Sequence, residues 1–567
     1  MGWAGFSWAL LREQKASTRD TRALLDYLAS ALPLPVPALK ELMHKLFSDH
    51  MEMEIELPTE LIHRIQMCMS EKHAGGTCIL SKSWLHAWYT IPHLRFHKNK
   101  LINNTFERYH RHNLPIQTLD IRFDDENKNT ARLLKRWIPQ VASKSFLKEL
   151  SLSFNTNIYM DWSTVIDSIF SCENLTRISV TKEERGFSDT FNLRRINTMI
   201  KCVSLRVLVL QRVSITEEVF NSLVSTCMLL EKIQLWCCNG FKTLKVKDLP
   251  CLMELEIETW KEDLILEIDN VPSLVFFHYW KYIGESALEK PVSFNMHQIV
   301  SVRQLHIYNL GKDSIAEFFN MIKSKLIFLE ELNVEFVYQS LDITSFVIAS
   351  TSLKRLTLNV SNNMPNDIQI DAPKLLYFCY ESHFIPTLSF PFVTPKKIEL
   401  NFKLQTLVDL SFFLRMREVL NLSSTFDIYI TGSMGDALAV LSNTDYNDLR
   451  KRGLFPATNV QKLHIQTFED VRKHTQCYDY FFLICHPSHF KAKVGAIKDN
   501  NNRLFSVLTE KGIMNKNVEV LGDLTKVQLQ NPCNGRWEDL TLTSWKTFID
   551  PLSPYSYVDF KLEWFNP

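Results

Sequence analysis

Glycine is scarce in this sequence, and no glycine-rich phosphate loop is present. The 15 glycines make up about 2.6% of the 567 residues, against a usual share of about 7%. None of them forms a G-x-x-x-x-G-K-[ST] or G-x-G-x-x-G pattern, whose backbone N–H groups cradle phosphates. The sequence therefore gives no support for nucleotide binding through such loops.

Excess charge of one sign and long apolar runs are also lacking. Lys and Arg total 64 against 63 for Asp and Glu, so no bulk field would hold a polyanion and we expect no nucleic-acid partner. No run of 18 or more apolar residues exists, so we expect no membrane span. The stretch Gly2 to Leu11 is apolar, but Arg12 and Glu13 cut it short and no basic region precedes it, which argues against a signal peptide.

Motifs of catalysis and metal binding are missing as well. There is no G-x-S-x-G elbow and no H-E-x-x-H pair, so we expect no catalytic residues and no cofactor. The nearest approach to a metal site is Cys477, Cys485, His486 and His489, but the spacing is not that of a zinc finger. We therefore predict no metal. The 12 cysteines are scattered irregularly, which indicates reduced thiols and a cytoplasmic or nuclear location.

A short helical module with a large apolar surface occupies residues 57–96. Pro58 suits the first turn of a helix, and Glu60 lies near the positive end of its dipole. The spacing of Leu61, Ile62, Ile65 and Met69 puts them along one side of this helix, and a second line of Leu80, Trp84 and Trp88 predicts another. About 45 residues cannot close a core alone, so part of this surface should be covered by a partner.

These residues resemble a known family. Leu57-Pro58, the Leu61/Ile62/Ile65 helix and the string C-I-L-S-K-S-W at 78–84 look like an F-box, and S-K-S-W-L-H-A-W with I-P-H-L-R-F looks like the plant F-box/leucine-rich-repeat type. The resemblance implies an SKP-type adaptor as partner and, through it, a cullin. The residues that it assigns to adaptor binding are Leu57, Pro58, Leu61, Ile62, Ile65, Ile79, Leu80, Ser81 and Trp84.

Two glycines depart from the F-box pattern. Gly75 and Gly76 fall where such modules carry helix-forming residues, and each costs about 1 kcal/mol in the middle of a helix. The sequence leaves open whether this pair disables the F-box. Residues 1–50 precede Met51 and Met53, and they are either an added helical hairpin or outside the native coding sequence.

From residue 116 onward an apolar-x-x-apolar-x-apolar phrase recurs, which is the strand signature of leucine-rich repeats. Its spacing of 22 to 31 residues predicts one strand and one returning helix or turn per unit, whereas a propeller would need four strands per period. Weaker copies follow at Ile398/Leu400, Leu420/Leu422 and Val460/Leu463/Ile465. The first apolar residues of the clear copies are Ile116, Leu147, Leu175, Leu205, Leu230, Leu252, Leu274, Val302, Leu329, Leu353 and Leu375.

The sequence thus predicts an α/β protein, a leucine-rich-repeat solenoid with a parallel-sheet horseshoe, preceded by a small all-α F-box module. We place an N-terminal extension at 1–50, the F-box at 51–98, the repeats at 99–465 and a C-terminal cap at 466–567. Alternation near Lys526, Trp537 to Trp545 and Tyr557 to Trp564 indicates strands in this cap.

Residues that flank the inner leucine positions point out of the sheet, and the central repeats carry large aromatics and carboxylates there. Exposed aromatics in a central patch are the usual carriers of binding energy, and carboxylates favour a basic partner. The alternative is that a neighbouring loop or the cap covers them. The candidate target-binding residues are Trp236, Glu254, Glu256, Glu258, Phe276, His278, Trp280, Gln304, His306 and Tyr308.

The function that these patterns favour is a substrate-recognition subunit of a cullin-RING ubiquitin ligase, in which the F-box binds the adaptor and the repeats bind a target protein. Two alternatives stay open. One is a leucine-rich-repeat scaffold, outside any ligase, with a degenerate F-box. The other is a receptor of the same architecture that depends on a small molecule.

Overall fold

The computed structural model divides the chain into two compact units. The first unit lies within Met1–Phe187 and Asn197–Cys202. The second unit lies within Ser188–Ile196 and Val203–Pro567. The predicted N-terminal extension and Cys477 lie outside the residues that the structure describes. Those residues are 57–69, 71–96, 102–123, 128–154, 163–182, 191–193, 199–260, 264–282, 293–297, 301–309, 312–336, 345–360, 367–404, 410–432, 456–467, 481–493, 524–531, 535–548, 552–553 and 556–565.

The first unit starts with the predicted helical module. Helix α1 (Thr59–Met67) is followed by α2 (Glu71–Gly76), a 3-10 turn (Thr77–Ile79) and α3 (Lys82–Thr90). Helix α1 begins after Pro58, whose carbonyl accepts from Leu61 N at 2.9 Å. Helices therefore form at both apolar lines that the sequence shows.

Four parallel strands follow in the same unit: β1 (His93–Phe96), β2 (Thr118–Phe123), β3 (Glu149–Phe154) and β4 (Arg177–Lys182). Helices α4 (Ile102–Arg111), α5 (Lys128–Ala142) and α6 (Ser163–Phe170) connect them. The inner positions of each phrase, such as Leu119 and Ile121, are buried. The first three predicted repeats are therefore confirmed.

The second unit holds a longer parallel ladder. A short pair, β5 (Phe191–Asn192) and β7 (Val213–Ser214), accompanies its first strand, and helix α7 (Glu217–Thr226) follows. The ladder pairs in the order β6 (Val207–Gln211), β8 (Lys232–Trp236), β10 (Glu254–Thr259), β12 (Phe276–Lys281), β14 (Gln304–Tyr308), β15 (Glu331–Phe336), β17 (Arg355–Val360), β19 (Tyr377–Ser382), β21 (Lys397–Leu404), β22 (Phe426–Gly432), β23 (Val460–Thr467) and β24 (His489–Lys493). The expected leucine-rich-repeat architecture is confirmed in this unit too.

The returning segments differ from the expectation of a helix or turn. Helix α8 (Lys312–Lys325) and α9 (Leu410–Val419) do return the chain after β14 and β21. Helix α7 returns it before β8. In each unit from β8 to β14 and from β15 to β21 a second strand returns the chain, and these strands form two parallel sheets of their own. The first is β9 (Thr243–Lys247), β11 (Ile265–Asp269) and β13 (Ser293–His297), and the second is β16 (Ser345–Ala349), β18 (Asp367–Asp371) and β20 (Thr387–Ser389). The expectation was wrong there; in the units of 22 to 24 residues the reason is that an extended return fits and a helix has little room, whereas the 28-residue unit of β13 has no such length limit.

The ladder ends in antiparallel strands. Strand β27 (Tyr557–Trp564) pairs with β24 on one side and with β25 (Leu524–Gln530) on the other, and β25 pairs with β26 (Trp537–Asp539). Two details of the prediction were wrong. Trp545 lies in helix α10 (Leu542–Phe548), and the weak copy at Leu420/Leu422 precedes the strand that begins at Phe426.

Candidate functional site

The helical module is held together by its own buried side chains. Ile62 and Ile65 of α1 pack inward with Trp84 of α3. The side chain of Ser81 caps α3 by accepting from Trp84 N at 3.4 Å. Ile62, Ile65 and Trp84 are surrounded by other side chains of the module, so their close packing holds α1 against α3.

Polar contacts fix the register of the module. The buried Gln66 donates from Nε2 to Thr77 Oγ1 at 3.0 Å and to Trp84 O at 3.2 Å. The Nε2 atom of His63 lies 3.0 Å from Ala87 O, and burial lowers the pKa of this imidazole. Gln66 and His63 therefore tie α1 to the segment 77–90 through hydrogen bonds that water cannot easily replace.

The predicted adaptor-binding set divides into interior and exposed residues. Ile62, Ile65 and Trp84 are 0, 3 and 6% exposed, so in this structure they stabilise the module. Leu57, Leu61 and Ser81 are half-buried, and Pro58 is exposed. Ile79 is 66% exposed and Leu80 is 45% exposed. The half-buried and exposed members have surface free for another molecule, and most of the apolar part of it is on Ile79 and Leu80.

Exposed apolar side chains are concentrated in the segment 79–89, and we call Ile79, Leu80, Leu85 and Tyr89 of this segment the module patch. Leu85 and Tyr89 are one helical turn apart and so share a face. Apolar side chains left together at the surface of a small module mark an interaction site more often than chance exposure does. This is the surplus apolar surface that the sequence predicts.

The central strands of the second unit carry all the predicted target residues on one face of the sheet. Leu255 and Ile257 point into the core and are 0 and 1% exposed, while the flanking glutamates of β10 are partly exposed. The paired strands keep the same register. We call this surface the open face. The outward residues that meet on it are Lys232, Gln234 and Trp236 of β8, Glu254, Glu256 and Glu258 of β10, Phe276, His278 and Trp280 of β12, Gln304, His306 and Tyr308 of β14, and Glu331, Asn333 and Glu335 of β15.

The glutamates of β10 do not share the same surroundings. Lys232 Nζ lies 2.5 Å from a carboxylate oxygen of Glu254 and 3.2 Å from one of Glu256. Glu258 instead accepts from the hydroxyl of Tyr282 at 3.0 Å, and burial raises the pKa of its carboxyl. Carboxylates side by side on one strand repel one another. Lys232 offsets this repulsion at Glu254 and Glu256 but not at Glu258.

Aromatic rings of the open face form a stacked column. The Trp280 and Tyr308 centroids are 4.7 Å apart with an interplanar angle of 17°, and Tyr282 stacks on Trp280 at 5.5 Å. Trp260 continues the column on Tyr282 at 4.1 Å. Such offset stacks add about 0.5–1.5 kcal/mol per pair beyond burial. The rings are thus held in fixed positions.

Two histidines occupy the middle of the open face. The ring centroids of His278 and His306 are 6.1 Å apart, and Phe276 contacts His306 edge-on at 5.2 Å. Burial lowers the pKa of both imidazoles, and the facing imidazole of His306 lowers the pKa of His278 further. Both rings are therefore held in their neutral form near pH 7.

The sequence prediction did not include Trp260, Tyr282, Asn333 and Glu335. Trp260 and Tyr282 follow the ends of β10 and β12, beyond the alternation that marks outward positions. Asn333 donates to the Tyr308 hydroxyl at 2.9 Å, and Glu335 lies beside Tyr308 in the next strand. The phrase that begins at Leu329 contained the signal for these last two, since they flank its inner Val334.

Other candidate chemistry is not assembled in the part of the chain that the structure describes. There, no group of three or more His, Cys, Asp and Glu side chains has the geometry to hold a metal ion. Cys485 is buried and its Sγ lies 3.2 Å from Phe481 O, while His486 stacks on Trp564 at 3.9 Å. None of the described helices has the length and hydropathy to span a membrane.

Comparison with known proteins agrees with this architecture. Residues 109–374 match the family model described as "At1g61320/AtMIF1, LRR domain". These residues include the strands from β2 to β18 of the ladders described above. The repeat region is thus that of a leucine-rich-repeat protein.

Several relatives come from Arabidopsis thaliana. F-box/LRR-repeat protein 25 is 28% identical over 207 residues, which cover 36% of this chain and 74% of the relative. Putative F-box/LRR-repeat protein At4g15060 is 24% identical over 324 residues, covering 54% and 67%, and FBD-associated F-box protein At5g38590 is 24% identical over 255 residues, covering 38% and 58%. The chain is accordingly similar to plant F-box/leucine-rich-repeat proteins, and it spans 58 to 74% of the length of these three relatives.

Proposed function

We propose that this protein is the substrate-recognition subunit of a cullin-RING ubiquitin ligase. In this proposal the F-box module binds an SKP-type adaptor, and the open face of the repeats binds a target protein. The observation that carries the proposal is the module patch. Ile79, Leu80, Leu85 and Tyr89 expose apolar surface that the small module does not bury in its own core, and such surface suits a binding partner.

The mechanism of such a subunit is proximity. The chain itself performs no bond chemistry, and other subunits transfer the ubiquitin. Binding a target at one end of a rigid assembly raises the effective concentration of its lysines near the charged conjugating enzyme. The repeats suit this role because each strand of the main ladder from β8 to β23 is paired on both sides, which makes a stiff support for the bound target.

The location in this proposal is the cytosol or the nucleus. The ten described cysteines are free thiols, and burial raises the pKa of Cys227 and Cys238 to about 12. Thiols of this kind pack as small apolar groups and do not need an oxidising compartment.

The module patch gives the first test. We expect the full chain to bind a purified SKP-type adaptor in a pull-down, and the double variant Ile79→Lys/Leu80→Lys to lower recovery by about 10-fold or more, since it puts two charges into an apolar contact. The matched control is Ile327→Lys/Phe328→Lys, which makes the same change at an apolar pair of the second unit that is 50 and 53% exposed.

The outcomes separate the alternatives. Equal recovery of both double variants would place the adaptor contact elsewhere or remove the F-box assignment. If the unchanged chain recovers no adaptor, the scaffold with a degenerate F-box is favoured. A target that binds only after a small molecule is added would identify the ligand-dependent receptor.

A further inference from the structure

Four side chains of the open face form a row across neighbouring strands. Glu258 of β10 pairs in register with Trp280 of β12, Trp280 with Tyr308 of β14, and Tyr308 with Glu335 of β15. The two stacked rings therefore have a carboxylate on each side. We call this set the Glu258–Glu335 row.

The charge of the open face is unbalanced around this row. Its outward positions from β8 to β15 hold five glutamates and one lysine. Lys232 is already engaged by Glu254 and Glu256. The ion pairs found among the described residues join neither Glu258 nor Glu335 to a Lys or Arg, and the nearest ring nitrogen to Glu258 is His278 Nε2 at 4.0 Å.

The two carboxylates of the row are also partly dehydrated. Burial raises the pKa of Glu258 and of Glu335. The positive charge of Lys403 lowers the pKa of Glu335, but Lys403 forms its ion pair with Glu381. A half-buried carboxylate without a cation beside it is stabilised when a ligand supplies one.

We propose that the Glu258–Glu335 row binds a basic, extended segment of the target protein, with one cationic side chain at each carboxylate and an apolar side chain on the rings between them. This inference rests on the proposed function, since it names the chemistry of the target at the same face. Arg and Lys suit the site because their apolar stems pack on aromatic rings while their heads reach the carboxylates.

The strand spacing sets the separation of the two cations. Adjacent strands lie about 4.8 Å apart, so β10 and β15, three steps apart, are separated by about 14 Å. An extended chain rises about 3.3 Å per residue and points every second side chain the same way. Residues i and i+4 then face the same side about 13 Å apart, with residue i+2 over the rings. The segment is basic-x-apolar-x-basic.

The same charges argue against a single-stranded nucleic acid on this face. Stacked rings would suit its bases, but five carboxylates against one lysine repel its phosphates. A protein segment with two cations satisfies both the rings and the carboxylates.

The test uses the purified full chain without adaptor and three fluorescein-labelled peptides, each flanked by Gly-Ser on both sides. The central sequences are Arg-Gly-Leu-Gly-Arg, Arg-Gly-Leu-Arg-Gly and Gln-Gly-Leu-Gly-Gln. In fluorescence anisotropy we expect the first to bind at least about 5-fold more tightly than the second and the third not to bind. Raising the salt from about 50 to 500 mM should weaken the first.

Variants test the row itself. Glu258→Gln/Glu335→Gln should weaken the first peptide about 10-fold or more, as two partly buried ion pairs are lost. The matched control Glu149→Gln/Glu173→Gln removes the same number of charges from exposed glutamates outside the open face, and it should change binding by less than about 2-fold. Thermal unfolding and circular dichroism check that all variants are folded.

Each contrary outcome overturns a defined part of the inference. Equal weakening by both double variants would mean that bulk charge alone attracts the peptides, and equal binding of the two arginine spacings would remove the extended register. Adaptor recovery is measured separately from peptide binding. If the chain recovers adaptor but binds no arginine peptide, the proposed function stands and this inference is wrong. If it binds the first peptide but recovers no adaptor, the peptide site stands and the ligase function is wrong.

Discussion

Gly75 and Gly76 illustrate how far single residues could be interpreted from the sequence. They lie at the carboxyl end of α2, and Gly76 has the helical φ of −63°. Neither conformation requires glycine. A Cβ atom at Gly75 would lie 3.8 Å from the ring of Trp88, and one at Gly76 would meet nothing within 4 Å.

We expect Gly75→Ala and Gly76→Ala each to raise the free energy of unfolding of the module by about 0.5–1 kcal/mol, because alanine loses less backbone entropy on folding. Urea denaturation followed by circular dichroism measures this. Gly240→Ala is the contrasting variant: its φ is +104° and the new Cβ would lie 2.4 Å from Ile215 O, so it should destabilise the fold. A lower urea midpoint for either module variant would contradict the prediction.

The pairing of Lys232 with two glutamates shows what residue patterns do not contain. The sequence placed Glu254, Glu256 and Glu258 on one face, and the structure agrees with that placement. It could not show that Lys232 reaches the first two, because the direction of a long side chain depends on its neighbours in three dimensions. The distinction between Glu258 and the other two therefore came only from the structure.

At the scale of elements, strands at the inner leucines were predicted and returning strands were not. In the repeat phrase the two inner apolar residues are two positions apart, which is the period of a strand, and both are buried in nearly every repeat. Strand β9 does fit the phrase through Phe241, Leu244 and Val246, and the prediction missed it. Strands β11 and β18 alternate just as clearly, but Asp263 and Pro365 stand where the phrase has its first apolar residue. The strand at Phe426 was missed for a related reason, since Ser423 stands where the phrase has its first apolar residue.

The returning strands should carry as much stability as the main ladder. We expect Leu244→Ala in β9 to lower the free energy of unfolding by about 2–5 kcal/mol, because Leu244 is fully buried and its removal leaves a cavity. The neighbouring Lys245→Ala, on the exposed side of the same strand, should change it by less than about 0.5 kcal/mol. Denaturation midpoints of the two variants measure the difference. Similar midpoints would mean that β9 is not part of the packed core.

Buried imidazoles give the whole molecule a dependence on pH. Burial lowers the pKa of His63, His93, His278, His306 and His464. A histidine whose folded pKa is lowered contributes stability that is present above its unfolded pKa of 6.5 and is lost as the pH falls through the folded value. The raised pKa values of Glu258 and Glu335 act in the other direction, since their contribution is lost as the pH rises.

We therefore expect the urea midpoint to fall between pH 7.5 and pH 5.5. The fall should be smaller in His278→Gln/His306→Gln, because two of the groups that must take up protons are gone. Glu256, Glu258 and Glu331 face these rings and are kept unchanged in that variant. Glu258→Gln/Glu335→Gln should instead steepen the fall. If the urea midpoint falls by the same amount in the unchanged chain and in both double variants, these groups do not determine the pH dependence of stability.

The antiparallel end of the ladder bears on how copies of this chain meet. Every strand from β6 to β24 presents the same parallel register, so an uncovered edge could accept the first repeat of another molecule and continue without limit. Strand β27 reverses direction at this edge, and among the described residues the strands beyond it are β25 and the three-residue β26 (Trp537–Asp539), which pairs with Gln528–Gln530 of β25. So short an edge offers few backbone hydrogen bonds to a second copy, which disfavours growth of a filament from this end.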